Sequence, residues 1–281
     1  MDIKDAFDEI ERNAEERNKA AEGDYFVDGL LYCHKCNTPK QVKIDKYGIC
    51  KVFDCLCRCA SEDIERKKEQ KRQEEFMDRV KRLRKMGFPD SDLASCTFEN
   101  DDMTNERISN MAHRFVDNFQ TFKKSGKGIL LCGDVGSGKT YIAAAIANAL
   151  IDKGHPCLVT NFPRLINTLG GMFEGKQEFI DGLNNFDLLV IDDLAAERNT
   201  EYMNETVQNI IDARYRAGLP LIVTTNLSVK ELNNPSDIRK QRTYSRLLEM
   251  CFPVKVEHRD RRKEKASDDN TDIAKMLGLV D

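Results

Sequence analysis

The stretch Gly133-Asp134-Val135-Gly136-Ser137-Gly138-Lys139-Thr140 constrains the chain more than any other. It follows the apolar run Gly128 to Cys132 and precedes a helical run from Tyr141 to Ile151, so the pattern G-x-x-x-x-G-K-T falls between a strand and a helix. Glycines let the backbone curl so that successive N–H groups face one anion, and the following helix adds the positive end of its dipole. Lys139 has the reach for the outer phosphates of a nucleoside triphosphate, and Thr140 offers a hydroxyl to Mg²⁺. Gly133 to Thr140, with Tyr141, are the candidate nucleotide-binding residues.

A second signature follows about fifty residues on, at Leu188-Leu189-Val190-Ile191-Asp192-Asp193. Four apolar residues ending in two acids describe a central parallel strand that stops at the active-site edge of an α/β sheet. Asp192 is the candidate for the Mg²⁺ shell, and Asp193 for orienting or polarising the attacking water. A further buried strand, Leu221-Ile222-Val223-Thr224-Thr225, ends in Asn226. That amide either senses the terminal phosphate and places the water, or caps the helix starting near Ser228.

Composition narrows the setting. Of 281 residues, 33% are charged and 40% apolar, and the net charge of -4 argues against a wholesale nucleic-acid coat while leaving room for a local basic groove. No apolar run approaches the ~20 residues that span a bilayer. Met1 to Lys19 is charged and lacks an apolar core, so it does not read as a secretory signal, and the expected location is cytoplasmic.

Six of the ten cysteines lie between Cys33 and Cys59. In a reducing compartment such clustering points to metal rather than disulfides. Cys33-His34-Lys35-Cys36 is a C-x-x-C knuckle, which pairs with a second close-spaced pair to bind Zn²⁺ tetrahedrally at about 2.3 Å. Cys57 and Cys59 are favoured for that second pair; Cys55 is the main rival and Cys50 also competes. The spacings match no common ferredoxin pattern, and four thiolates leave no open position for catalysis. A hairpin carrying the knuckle is expected between Thr38 and Lys51, turning at Tyr47-Gly48. Cys96, Cys132, Cys157 and Cys251 read as small buried hydrophobes.

Along the chain, residues 1–29 read as a short amphipathic helix (Ala6, Phe7, Ile10, Ala14) and a linker. Glu62 to Met86 is a charge-dense helix, stopped by Gly87-Phe88-Pro89. Helices are expected at Asn105–Phe122, Phe162–Gly170, Gln177–Leu183, Glu201–Ala217 and Arg239–Met250, with strands at Pro156–Thr160 and Pro253–Glu257. A basic cluster, His258 to Lys263, precedes a tail with Ile273, Met276 and Leu277. The expected organisation is a zinc-binding domain over 1–60, a charged helical linker over 61–90, an ATPase domain over 91–265 and a tail over 266–281.

Several of these stretches carry a family likeness. Ile191-Asp192-Asp193-Leu194-Ala195-Ala196-Glu197-Arg198, Glu201 to Asn204, Asp212-Ala213-Arg214-Tyr215 and Thr224-Thr225-Asn226-Leu227 together resemble the helicase-loader ATPases of the DnaC/DnaI type, in the AAA+ class, and the related IstB-type transposition ATPases. The likeness covers about Ser91 to Arg262, and the cysteine knuckle resembles the amino-terminal zinc domain of such loaders. It implies an AAA+ P-loop fold with a parallel sheet flanked by helices, ATP hydrolysis with Mg²⁺, and Asn226 as sensor 1. It also implies Arg246 as an arginine finger given to a neighbour's ATP, with Arg242 nearby and Arg261 or Arg262 completing the interface. Implied partners are a DnaB-type replicative helicase, single-stranded DNA and other copies of the chain. Phe162, Arg164, Phe173 and Lys176 are candidates for the DNA contacts. The rival functions are a transposition helper on duplex DNA and a non-hydrolysing ATP-bound adaptor.

Overall fold

The structure is a computed structural model that describes residues 20–46, 49–89, 91–194, 200–235 and 237–257. The segment with Ala6, Phe7, Ile10 and Ala14 and the Tyr47-Gly48 turn lie outside the described residues. So do the run Ala195 to Arg198, the cluster His258 to Lys263 with Arg261 and Arg262, and the tail with Ile273, Met276 and Leu277. Two compact units divide between Met77 and Asp78.

The first unit holds two hairpins. Strand β1 (Tyr25–Val27) pairs antiparallel with β2 (Leu30–Tyr32) around Asp28-Gly29, both at positive φ (49° and 78°). Asp-Gly between apolar residues is a two-residue hairpin signal, and it corrects the expectation of helix and linker through residue 29. Strand β3 (Gln41–Lys46) pairs with β4 (Ile49–Asp54), from Gln41↔Asp54 to Lys46↔Ile49, so the expected hairpin extends three residues beyond Lys51. Very little in these hairpins is buried. Phe26, Val42, Ile44 and Phe53 are all exposed, whereas Leu31, Cys33 and Cys57 are buried. Helix α1 (Arg58–Gly87) crosses from the first unit into the second and buries Val80, Leu83 and Gly87 only near its end.

In the second unit a short 3-10 turn (Ser91–Ser95) leads to α2 (Glu106–Asp117) and α3 (Phe119–Ser125). One helix was expected here. Asn118 divides it: its side chain donates to Arg114 O at 2.8 Å, and the chain bends there before burying Phe119. Then come β5 (Gly128–Cys132), α4 (Lys139–Asp152), β6 (Cys157–Asn161), α5 (Phe162–Gly170), α6 (Lys176–Gly182), β7 (Leu188–Leu194), α7 (Glu201–Ala217), β8 (Leu221–Thr225), α8 (Val229–Asn233), α9 (Ile238–Met250) and β9 (Cys251–Lys255). The last strand starts two residues before the expected position, because Cys251 itself closes α9.

These strands form one five-stranded sheet in the order β6-β7-β8-β5-β9, all parallel. Helices cover both faces, so the central strands read as unbroken apolar runs rather than alternating ones. Ile129, Leu131, Val190 and Ile222 pack on one face with α2 and α4. Leu130, Cys132, Leu189, Ile191 and Val223 pack on the other with α5, α7 and α9. The backbone of Gly128 runs so close to β8 that a Cβ would lie 1.8 Å from Leu221 O. Pro253 is tolerated because β9 is an edge strand, paired only with β5. The carboxyl ends of β5, β7 and β8 thus bring three loops together, the place where open α/β sheets bind ligands. Among the described residues no helix is long and apolar enough to cross a membrane.

Candidate functional site

The loop after β5 begins with a steric constraint. A Cβ on Gly133 would sit 2.2 Å from Val256 O, so this backbone approach admits glycine only. Gly136 and Gly138 take φ of 79° and 91°, which side chains disfavour. Gly138 is the N-cap of α4, so no side chain occupies the helix start, and the first turn carries no acid. The first-turn N–H groups and the dipole are therefore directed to whatever anion the loop holds. Val135, at the loop's crown, is exposed.

Lys139 is buried and its ammonium is the hub of the loop. Nζ donates to Gly133 O at 2.8 Å, Asp134 O at 2.7 Å, Ser137 Oγ at 3.4 Å and Asn226 Oδ1 at 3.0 Å. One side chain thus links the ends of β5 and β8. Thr140 Oγ1 lies 2.9 and 3.0 Å from the two oxygens of Asp192, so a hydroxyl and a carboxylate stand side by side. Hard oxygen donors in that pairing suit Mg²⁺. Tyr141 does something different: its hydroxyl donates to Thr97 O at 2.8 Å, tying α4 to the segment before α2.

The two acids of β7 sit in a bulge. Ile191 pairs with Val223 and Leu194 with Thr225, so β7 advances three residues while β8 advances two. Asp193 takes up the excess at φ 58°, a left-handed conformation that Asp tolerates better than most residues. Its N–H donates to Thr224 Oγ1 at 3.0 Å, and the Thr224 hydroxyl donates to Asp192. Asp193 is exposed while Asp192 is half-buried. Burial pushes the Asp192 carboxyl above the ordinary carboxylate range, against the lowering effect of the Thr224 and Thr140 hydrogen bonds.

Four cysteine sulfurs meet in the first unit. Those of Cys33, Cys36, Cys57 and Cys59 all lie within 4.8 Å of one another, with Cys33–Cys59 at 3.6 Å and Cys57–Cys59 at 3.5 Å. Thiolates around a tetrahedral zinc at about 2.3 Å would be separated by roughly 3.8 Å, so the group fits that ion. Cys55 stands apart, its thiol donating to Pro39 O at 3.6 Å, and Cys50 is exposed. The thiols also divide electrically. The Thr38 hydroxyl holds Cys36 down at about 5, while hydrogen bonds with Cys57, Cys36 and Cys33 push Cys59 up to about 12. Four sulfurs this close cannot all ionise without a cation among them.

Arg246 is not brought to this loop. It lies on α9, ion-paired with Asp212 of α7, its guanidinium 5.5 Å from the Tyr215 ring centroid; Arg242 reaches the same carboxylate at 4.0 Å. Of the DNA candidates, Phe162 is corrected outright. It is fully buried in the core under α5, because the first turn of an amphipathic helix points its aromatic inward. Phe173, in the turn between α5 and α6, is fully exposed. Lys176 Nζ sits 5.5 Å from the Tyr202 ring centroid, and the Arg164 N–H is used by the Asn161 cap.

The sequence profile described as IstB-like ATP binding protein matches residues 60–269. The chain belongs to this family. This IstB-like protein is 25% identical over 194 residues to the replicative helicase loader DnaI of Bacillus subtilis (strain 168), covering 64% of this chain and 62% of the relative. It is 25% identical over 142 residues to the replicative helicase loader DnaC of Escherichia coli (strain K12), covering 49% and 58%. The matches therefore span about three fifths of the length of those curated relatives. A crystal structure of DnaI superposes with a TM-score of 0.53 at 24% identity, over 61% of this chain and 96% of that one, which establishes a common fold.

Three residues of the IstB-like core were not singled out from sequence for the contacts they make. Thr224 holds both Asp192 and the Asp193 N–H. Thr225 donates to Leu194 O at 3.0 Å and accepts from Leu227 N at 3.1 Å, locking the bulge to the Asn226 turn. Asp212 holds Arg246. For the threonines a signal existed: two hydroxyls ending an apolar buried strand need partners inside the fold.

Proposed function

We propose that this protein is an ATP-dependent loader of a DnaB-type replicative helicase onto single-stranded DNA at replication initiation, with ATP turnover releasing it. The observation that carries the reading is its 25% identity, over 194 and 142 residues, to proteins named replicative helicase loaders. In this reading Gly133 to Thr140 cradle the phosphates and Lys139 exchanges its loop carbonyls for phosphate oxygens. Thr140 and Asp192 hold Mg²⁺, which neutralises triphosphate charge when bound. Asp193, at an exposed position beside Asp192, polarises the water that Asn226 helps to place. Arg246 reaches the site of a neighbouring copy, which makes the active unit a self-association. Cys33, Cys36, Cys57 and Cys59 hold Zn²⁺ in the helicase grip, residues 1–60, which the charged linker over 61–90 joins to the ATPase at 91–265. The exposed Phe173 ring offers a stacking surface for unpaired bases, with Lys176 for their phosphates.

The test is capture of purified helicase by the full-length chain with ATP and Mg²⁺, followed by transfer of the helicase onto a single-stranded circle. Complex formation and ATP-dependent release are expected. Binding to duplex DNA without helicase capture would instead favour the transposition helper, and capture without any turnover the non-hydrolysing adaptor.

A further inference from the structure

Among the described residues Asp212 stands out as a carboxylate that is 6% exposed yet lies outside the nucleotide loop. A buried carboxylate is costly unless it is paired. Its pairing comes from α9: Arg246 makes the ion pair, and Arg242 approaches its second oxygen at 4.0 Å. The Arg246 guanidinium also lies near the face of Tyr215, whose hydroxyl is fixed by Glu249 Oε1 at 2.8 Å. Arg246 is therefore held from one edge by charge and on one face by a ring, and Tyr215 is itself anchored.

The contrast with Arg214 is informative. Arg214, on α7 with Asp212, is 1% exposed and spends its guanidinium on the carbonyls of Pro220, Leu183, Phe186 and Asp187. It is a structural staple. Arg246 keeps 24% of its side chain exposed. A guanidinium has five donors, and one carboxylate edge leaves the others for an outside anion. Arg242, at 64% exposure, lies at the rim of the same pair.

We infer that Asp212, backed by Tyr215, is the positioning residue that presents Arg246 in a fixed geometry to the phosphates bound by a neighbouring copy. The inference rests on the shared-site reading above. A pre-set arginine loses less freedom when the neighbour docks, and its misplacement by about 1 Å costs on the order of 10²-fold in rate.

A mixing assay separates this role from a merely structural one. The acceptor chain carries Arg246→Ala, so its site is intact but it lacks the arginine. The donor chain carries Lys139→Ala, so its own site is dead but it offers Arg246. Mixing the two restores turnover. Adding Asp212→Asn to the donor lowers that restored turnover about 10²-fold, whereas adding it to the acceptor leaves it unchanged, with the ATP Kd of the acceptor constant. Equal effects in both arms, or none in either, overturn the positioning role while leaving the shared site standing. Failure of the unmodified donor to restore turnover overturns the shared site itself. If Asp212→Asn lowers the unfolding temperature, Asp212→Glu repeats both arms: the pair survives but the guanidinium shifts by one methylene. Rescue then falls several-fold in the donor arm alone, and equal arms again refute the proposal.

Discussion

Asp193 concentrates the residue-scale argument, because its backbone and its carboxylate make separate demands. The left-handed φ of 58° suits Asp and Asn and penalises alanine by about 1 kcal/mol or more. Asp193→Asn should therefore melt at the wild-type temperature and bind ATP normally while turnover falls about 10²-fold or more; Asp193→Ala should show the same catalytic loss and melt lower. Differential scanning beside single-turnover kinetics checks this, and equal melting of the two variants would remove the backbone argument. Asp192 gives a prediction in pH. Its folded carboxyl is raised by burial, so between the ordinary carboxylate range and that raised value the folded state retains a proton the unfolded chain has released. Stability contributed at this position is lost as pH rises through that window. Asp192→Asn should thus melt at or above wild type at neutral pH, the gap closing toward about pH 4, although turnover is lost. A variant that melts well below wild type at neutral pH contradicts that sign. The placement of these acids was readable because each motif residue stands at a strand end. The threonines beneath them were not singled out, since a Thr in an apolar run looks the same whether its hydroxyl faces a carboxylate or a backbone carbonyl.

At the scale of elements, the strands and helices of the sheet were legible because burial on both faces makes apolar runs and helical stripes unambiguous. Failures came where a local bond overrides the pattern. Asn118 breaks a stripe that continues through it from Phe115 to Phe122, and Asp28-Gly29 turns a segment too short for periodicity to register. Phe162 and Phe173 are equally aromatic in the sequence, and only packing separates a core ring from an exposed one. The cysteine hairpins make the sharpest case. With Phe26, Val42, Ile44 and Phe53 exposed, β1 to β4 bury little apolar surface, and a metal held by the four gathered cysteines would supply the missing cross-link. Spacing left the second cysteine pair open, whereas the fold gathers Cys57 and Cys59 and leaves Cys55 on Pro39. Cys57→Ser should lose zinc and the dispersed amide NMR signals of the hairpins, while Cys55→Ser keeps one zinc per chain. Loss of metal in Cys55→Ser would reassign the ligand.

On the scale of the whole molecule, the question is whether nucleotide and metal serve one stability or two. The buried apolar clusters on both faces of the sheet draw on residues from Val80 onward, and neither includes Leu31, Cys33 or Cys57. The hub of the first unit is local as well: Asp24 accepts from Lys40, the Ala21 N–H and the His34 N–H, and the Lys40 ammonium first of all holds its carboxyl far below the usual range. Each unit therefore carries its own folding determinants, and a zinc ion held by the four cysteines would stabilise only the first unit. Stripping zinc from the full-length protein with a chelator should leave the ATP Kd and the main melting transition unchanged while abolishing helicase capture. Re-adding zinc should restore capture, whereas Lys139→Ala should give the reverse pattern, with helicase bound and ATP binding lost. If chelation weakened ATP binding tenfold or more, the two units would share their stability, and metal would have to be counted as part of the nucleotide cycle rather than of the partner grip.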